Sequence, residues 1–138
     1  MIMNREIKFR GKSEVTNEWV YGSLVKVGNE SHIVGFDEVD LDGHHLSYCS
    51  DRPIFTKQGT IGQFTGKYDK NGKEIYEGDI LRHLNGNTFQ VLYSNRTTSF
   101  ILISISHKEV GLDLGIYDTE NCFEVIGNIY DNKELLEE

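Results

Sequence analysis

Glu77, Gly78 and Asp79 place two carboxylates at i and i+2. On a strand such a pair shares one face, and carboxylates that close perturb each other's protonation. That is raw material for acid–base chemistry, with His83 as a third group, and it supports the alternative of a small metal- or carboxylate-dependent hydrolase. His44, His45 and Cys49 are the nearest approach to a metal cluster. A structural zinc site takes four ligands in two spaced pairs, and neither cysteine stands in such a pair, so no metal and no cofactor are expected. Gly62-Gln-Phe-Thr-Gly66-Lys67 falls one residue short of a phosphate loop, and Tyr68 stands where a Ser or Thr would hold magnesium. Counting from Asp69, a calcium loop would need Gly at Glu74 and Glu at Ile80, so Asp69-Lys-Asn-Gly72 reads as a tight turn. No nucleophile sits in a Gly-rich elbow. The chain is therefore expected not to be an enzyme.

The residues suited to contact are of another kind. Trp19 and Tyr21 lie two apart on an apolar run, and these residue types dominate interface energetics. Arg5, Lys8, Arg10 and Lys12 alternate around Phe9, which supports a nucleic-acid-binding accessory role as a further alternative. Against it stands a formal net charge of −8, because binding to nucleic acid rests on neutralising phosphates. The charge is also divided between the ends. Residues 1–12 carry an excess of Lys and Arg, while Asp131, Glu134, Glu137 and Glu138 face only Lys133 at the other end. The candidate partner-binding set is Trp19, Tyr21, Arg5, Lys8, Arg10, Tyr68, Glu77 and Asp79.

The elements that must position these groups are strands. The 138 residues include no alanine, the best helix former, and 45 Val, Ile, Thr, Tyr, Phe and Trp. These types fit pleated sheets. No apolar run approaches the roughly 20 residues of a membrane helix. Ile7 and Phe9 alternate with charged neighbours, Trp19 to Val27 forms a second run, and Ser31 to Phe36 a third. Asp42-Gly43 reads as a hairpin turn with Leu46 to Cys49 returning. Thr60 to Thr65, Ile75 to Leu84 (interrupted at Gly78-Asp79), Phe89 to Ser94, Phe100 to Ser106, Val110 to Ile116 and Phe123 to Tyr130 complete the set, with Asn85-Gly86 as a hairpin turn. The run at 100–106 is apolar enough to need a central place or a cover from another subunit. Asn132 is placed to cap a short helical turn bearing Leu135 and Leu136. The reading is all-β: about ten short antiparallel strands in a barrel or sandwich. One domain spans 1–138, with a soft boundary near Gln58-Gly59.

Three stretches carry a resemblance. They are Arg5 to Gly11 with Trp19-Val-Tyr-Gly22, the block from Thr60 to Ile80, and Phe123 to Leu136. Their order and spacing resemble the YopX family of small phage and prophage proteins, with Lys133 standing where the family pattern has Pro. The resemblance implies an all-β fold, no established activity and expression in a bacterial host. Glu77 to Leu81 (EGDIL) is similar to the Gly-Asp turn of SH3-like barrels, so such a barrel is expected over 59–130. The N-terminus lacks the apolar stretch of a secretory signal, which points to the cytoplasm. The expected function is a non-enzymatic binding or assembly module that works through protein contacts, as a homo-oligomer.

Overall fold

The computed structural model describes residues 5–35 and 54–137. Ten strands form two antiparallel sheets of five, in the orders β3-β2-β1-β4-β5 and β10-β6-β7-β8-β9. Their ranges are β1 Phe9–Lys12, β2 Trp19–Val27, β3 Glu30–Gly35, β4 Gly62–Tyr68, β5 Glu74–Tyr76, β6 Asp79–His83, β7 Thr88–Ser94, β8 Ser99–Ser104, β9 Gly111–Asp113 and β10 Phe123–Asn128. Among the described residues helix is confined to one α turn, Thr119–Cys122, and two 3-10 turns, Leu114–Ile116 and Lys133–Leu136. The chain falls into two compact units, Met1–Gln63 and Phe64–Glu138, with β4 carrying it from one to the other.

In the first unit β2 pairs with both β1 and β3, placing Arg10 opposite Tyr21, Lys12 opposite Trp19 and Val25 opposite His32. Gly22 lies where the backbones come closest: a Cβ there would sit 1.8 Å from the Val34 carbonyl oxygen. The segment after residue 53 then ties two strands together. The Ile54 amide donates to the Ile33 carbonyl, and Lys57 donates to Lys12. Thr56, fully buried, is the hub of this strap. Its amide donates to His32 Nδ1 (3.1 Å), and its hydroxyl accepts from Ile33 N (3.1 Å) and donates to the Ile54 carbonyl (2.7 Å). His32 is also buried, and its Nε2 lies 3.2 Å from Glu30 Oε2. A strand edge that would expose unpaired amides is thereby engaged.

In the second unit β6, β7 and β8 are interior strands and β9 and β10 are the edges. Ile75, Leu81, Phe89, Val91, Leu102, Leu114 and Phe123 build the core, with Phe100, Leu112, Tyr117, Cys122 and Val125 packed around it. Phe123 is its aromatic centre, edge-on to Phe89, His83 and Tyr117 at 6.0, 5.0 and 5.5 Å. The apolar run at 100–106 takes the central option, since β8 is paired on both sides.

Several expectations are refined. No ladder joins β9 to β10, so the SH3-like barrel expected over 59–130 is instead an open sheet with no closed barrel among the described residues. The alternating run at 110–116 forms only the short β9, because the Asp113 carboxylate accepts from Gly115 N (2.8 Å) and turns the chain into a 3-10 turn. A 3-10 turn does carry Leu135 and Leu136, but the Asn132 side chain does not cap it. Its Oδ1 accepts from Asn128 N (3.1 Å) instead, beside the irregular register of β10 at Gly127. The hairpin at Asp42-Gly43 lies outside the described residues, as do Leu46 to Cys49.

Candidate functional site

The acidic residues of the motif are absorbed into turns. Asp69 is 2% exposed. Its Oδ1 accepts from Asn71 N and Lys73 N, both at 2.8 Å, and Oδ2 accepts from Val125 N at 2.9 Å. One carboxylate therefore shapes the β4–β5 turn and fixes that turn to β10. Asp79, 1% exposed, accepts from Tyr76 N at 2.7 Å through Oδ2. Between them the chain turns at Glu77-Gly78, with Gly78 at φ +90°, a conformation that favours glycine. The Gly78 amide donates to Val91 and its carbonyl accepts from Ile129. Glu77 and Asp79 thus do not share a strand face: the first is a half-buried turn residue and the second begins β6 from inside. The reason is local. A positive φ at Gly78 breaks the extended alternation that would align them. Tyr68, half-buried, stacks edge-on with Phe64 at 5.6 Å, and its carbonyl accepts from the Thr119 hydroxyl (2.8 Å).

In the first unit the structure draws the cationic and aromatic candidates into one cluster. The Arg10 guanidinium carbon lies 4.4 Å from the centre of the Trp19 ring and Lys12 Nζ 5.3 Å from it. Cations over an indole face are favoured by its quadrupole. Arg10 is buried, at 5% exposure. Tyr21 is opposite Arg10 in the β1–β2 register. Lys8 Nζ pairs with Glu6 at 3.1 Å. Arg5 is exposed, whereas Lys8 and Lys12 are half-buried. The N-terminal cations are therefore not a row of solvent-facing charges, because cross-strand packing onto Trp19 turns two of them inward.

His83 belongs to a different place from Glu77 and Asp79. With Lys70, Arg82, Leu84, Gly86 and Glu124 it lines an open cavity of about 260 Å³. Arg82 is opposite Glu124 in the β6–β10 register, and its Nη2 lies 3.0 Å from Glu124 Oε2. Lys70 Nζ approaches the same oxygen at 3.7 Å. His83 Nδ1 accepts from Asn85 N at 3.1 Å, so the neutral ring carries its proton on Nε2. These charges are half-exposed, and such pairs contribute about 0–1 kcal/mol. Arg82→Ala is accordingly expected to leave the thermal melt nearly unchanged, by no more than about 1 kcal/mol.

Lys70, Arg82 and Glu124 are not prominent in the sequence. They come from a turn and two strands, and only the register brings them together. Among the described residues no three His, Cys, Asp or Glu side chains gather as metal ligands. His44, His45 and Cys49 lie outside those residues.

Fold and site together define an all-β protein of two five-stranded antiparallel sheets whose distinctive acidic motif holds turns. The chain belongs to the YopX family, whose pattern it matches over residues 8–137. It is similar in structure to protein EF1440 from Enterococcus faecalis, at 25% sequence identity and a TM-score of 0.59, over 97% of this chain and 100% of that one. No functionally curated protein matches it. No described helix is long and apolar enough to cross a membrane.

Proposed function

We propose that this chain is a non-enzymatic binding or assembly module of phage or prophage origin, acting through protein contacts in the bacterial cytoplasm as a homo-oligomer. The observation that carries this reading is the set of large apolar side chains left exposed on the first unit, with Val15 and Phe55 on adjoining segments. Val15 is 87% exposed and Phe55 61%, and the Glu14 amide bonded to the Phe55 carbonyl (2.8 Å) holds their two segments together. Tyr21, Leu24 and Val27 are exposed along β2. Side chains of this size left in water are candidates for burial by a partner. The tight use of Asp69 and Asp79 as acceptors of backbone amides supports a structural rather than catalytic role for the motif.

Light scattering coupled to size-exclusion chromatography tests the reading. The expected mass is a multiple of the 15.8 kDa chain, and the double change Val15→Ser with Phe55→Ser is expected to shift it toward a single chain. A wild-type monomer at high concentration overturns the self-assembly part.

A further inference from the structure

The cavity on the second unit has the chemistry of an oxyanion site. Lys70 and Arg82 converge on one oxygen of Glu124, so two positive charges face one negative charge. This reverses locally the −8 balance of the whole chain. Oxygen atoms with negative charge are held best by such charge-assisted donors. Arg82 spends one nitrogen on Glu124, and a guanidinium has five N–H groups in a fixed fork. His83 adds a donor of defined tautomer, because its Nδ1 is occupied by the Asn85 amide. Its ring is steadied edge-on against Phe123 at 5.0 Å.

The wall is equally fixed. His83 N donates to the Asn87 carbonyl, Gly86 N to His83 and Leu84 N to Cys122, so the β6–β7 hairpin tip is tied down on both sides. Leu84, at the rim, is 68% exposed. A backbone fixed in this way loses little freedom when the cavity captures a ligand.

We propose that this cavity binds a phosphate group, with the Glu124 carboxylate occupying the anion position when the ligand is absent. Lys70 of the β4–β5 turn and the neighbouring Arg82 and His83 of β6 bring three donor side chains to the lining of one cavity, which suits the several oxygens of a tetrahedral phosphate better than the two of a planar carboxylate. A phosphate dianion sets two negative charges against the one of Glu124, whereas acetate sets only one. The group reaches the site either as free phosphate or on a phosphorylated peptide, where Leu84 would pack against the residue beside the phosphate.

The test is a titration of the full-length protein, followed by amide chemical shifts. The probes are inorganic phosphate, acetate, and a serine phosphopeptide with its unphosphorylated twin, all at equal low ionic strength. Saturable shifts centred on Lys70, His83 and Gly86 are expected with phosphate, with weaker binding of acetate. Arg82→Gln and Lys70→Gln are each expected to weaken phosphate by roughly tenfold, the loss of one charge-assisted contact. Glu124→Gln is expected to tighten it, because the competing internal charge is gone. Phosphopeptide binding tighter than inorganic phosphate, and lowered by Leu84→Ser, assigns the site to a peptide, while equal affinity assigns it to the free anion. Shifts that do not saturate, shifts that acetate reproduces with equal affinity, or a Glu124→Gln variant that binds no better than wild type overturns the proposal. Thermal melts of each variant separate lost binding from lost folding.

Discussion

Asp69→Ala is expected to destabilise the second unit by about 3 kcal/mol, since it takes the acceptor from three part-buried amides at once. The carboxylate accepts from Asn71 N, Lys73 N and Val125 N. Alanine offers none of them an acceptor. A buried donor without a partner loses the hydration it had in the unfolded chain. Asp69→Asn should fall between wild type and alanine. Its carbonyl can serve the β4–β5 turn, but its NH2 would then face the Val125 N–H, donor against donor. Chemical denaturation of the three proteins measures the order. Total stability of a domain this size is typically about 5–15 kcal/mol, so the alanine variant would lose a large share. If Asp69→Ala unfolds at the same denaturant concentration as wild type, the carboxylate is not the clamp described above.

Gly22→Ala is expected to cost about 3 kcal/mol or more, at the upper end of overpacking. The new methyl would stand 1.8 Å from the Val34 carbonyl oxygen and 2.7 Å from its carbon. Both atoms are backbone, so no side chain can swing away. The strands must part, and the β2–β3 ladder beyond Gly22↔Gly35 must shift with them. By contrast, Gly28→Ala meets nothing within 4 Å and bears only the strain of φ +65°. Comparing the two by thermal melt and by amide exchange of β3 separates crowding from conformational strain.

Much of the strand pattern was legible because period-two alternation and turn chemistry are local. Phe9, the run at 19–27 and the Asn85-Gly86 turn each announce themselves within a few residues. The Asp113 stop to β9 is local too, yet it competes with a longer alternating run, and alternation alone gave the wrong length. The open character of the second sheet is not local, since it depends on whether β9 and β10 meet. The candidate sites divide in the same way. Trp19 and Tyr21 were visible as types, and strand register placed the cations on them. Glu77 and Asp79, named as partner-binding candidates, also carry the alternative of acid–base chemistry because proximity in sequence resembles proximity in space. The 2.7 Å bond of Asp79 to Tyr76 N reveals an acceptor for the backbone instead. The Val125 partner of Asp69 lies 56 residues away, and the Lys70–Glu124–Arg82 cluster is joined only through the fold. No short window of sequence contains either.

The strap around Thr56 also sets an order of events during synthesis. Lys12 N receives its acceptor, the Thr60 hydroxyl, from 48 residues further on, and β3 waits for Ile54. The first three strands therefore leave the ribosome as a ladder with a side still unpaired. Closing a loop of that length is entropically slow relative to a hairpin, so the nascent chain passes through an interval in which β3 can pair with a foreign strand.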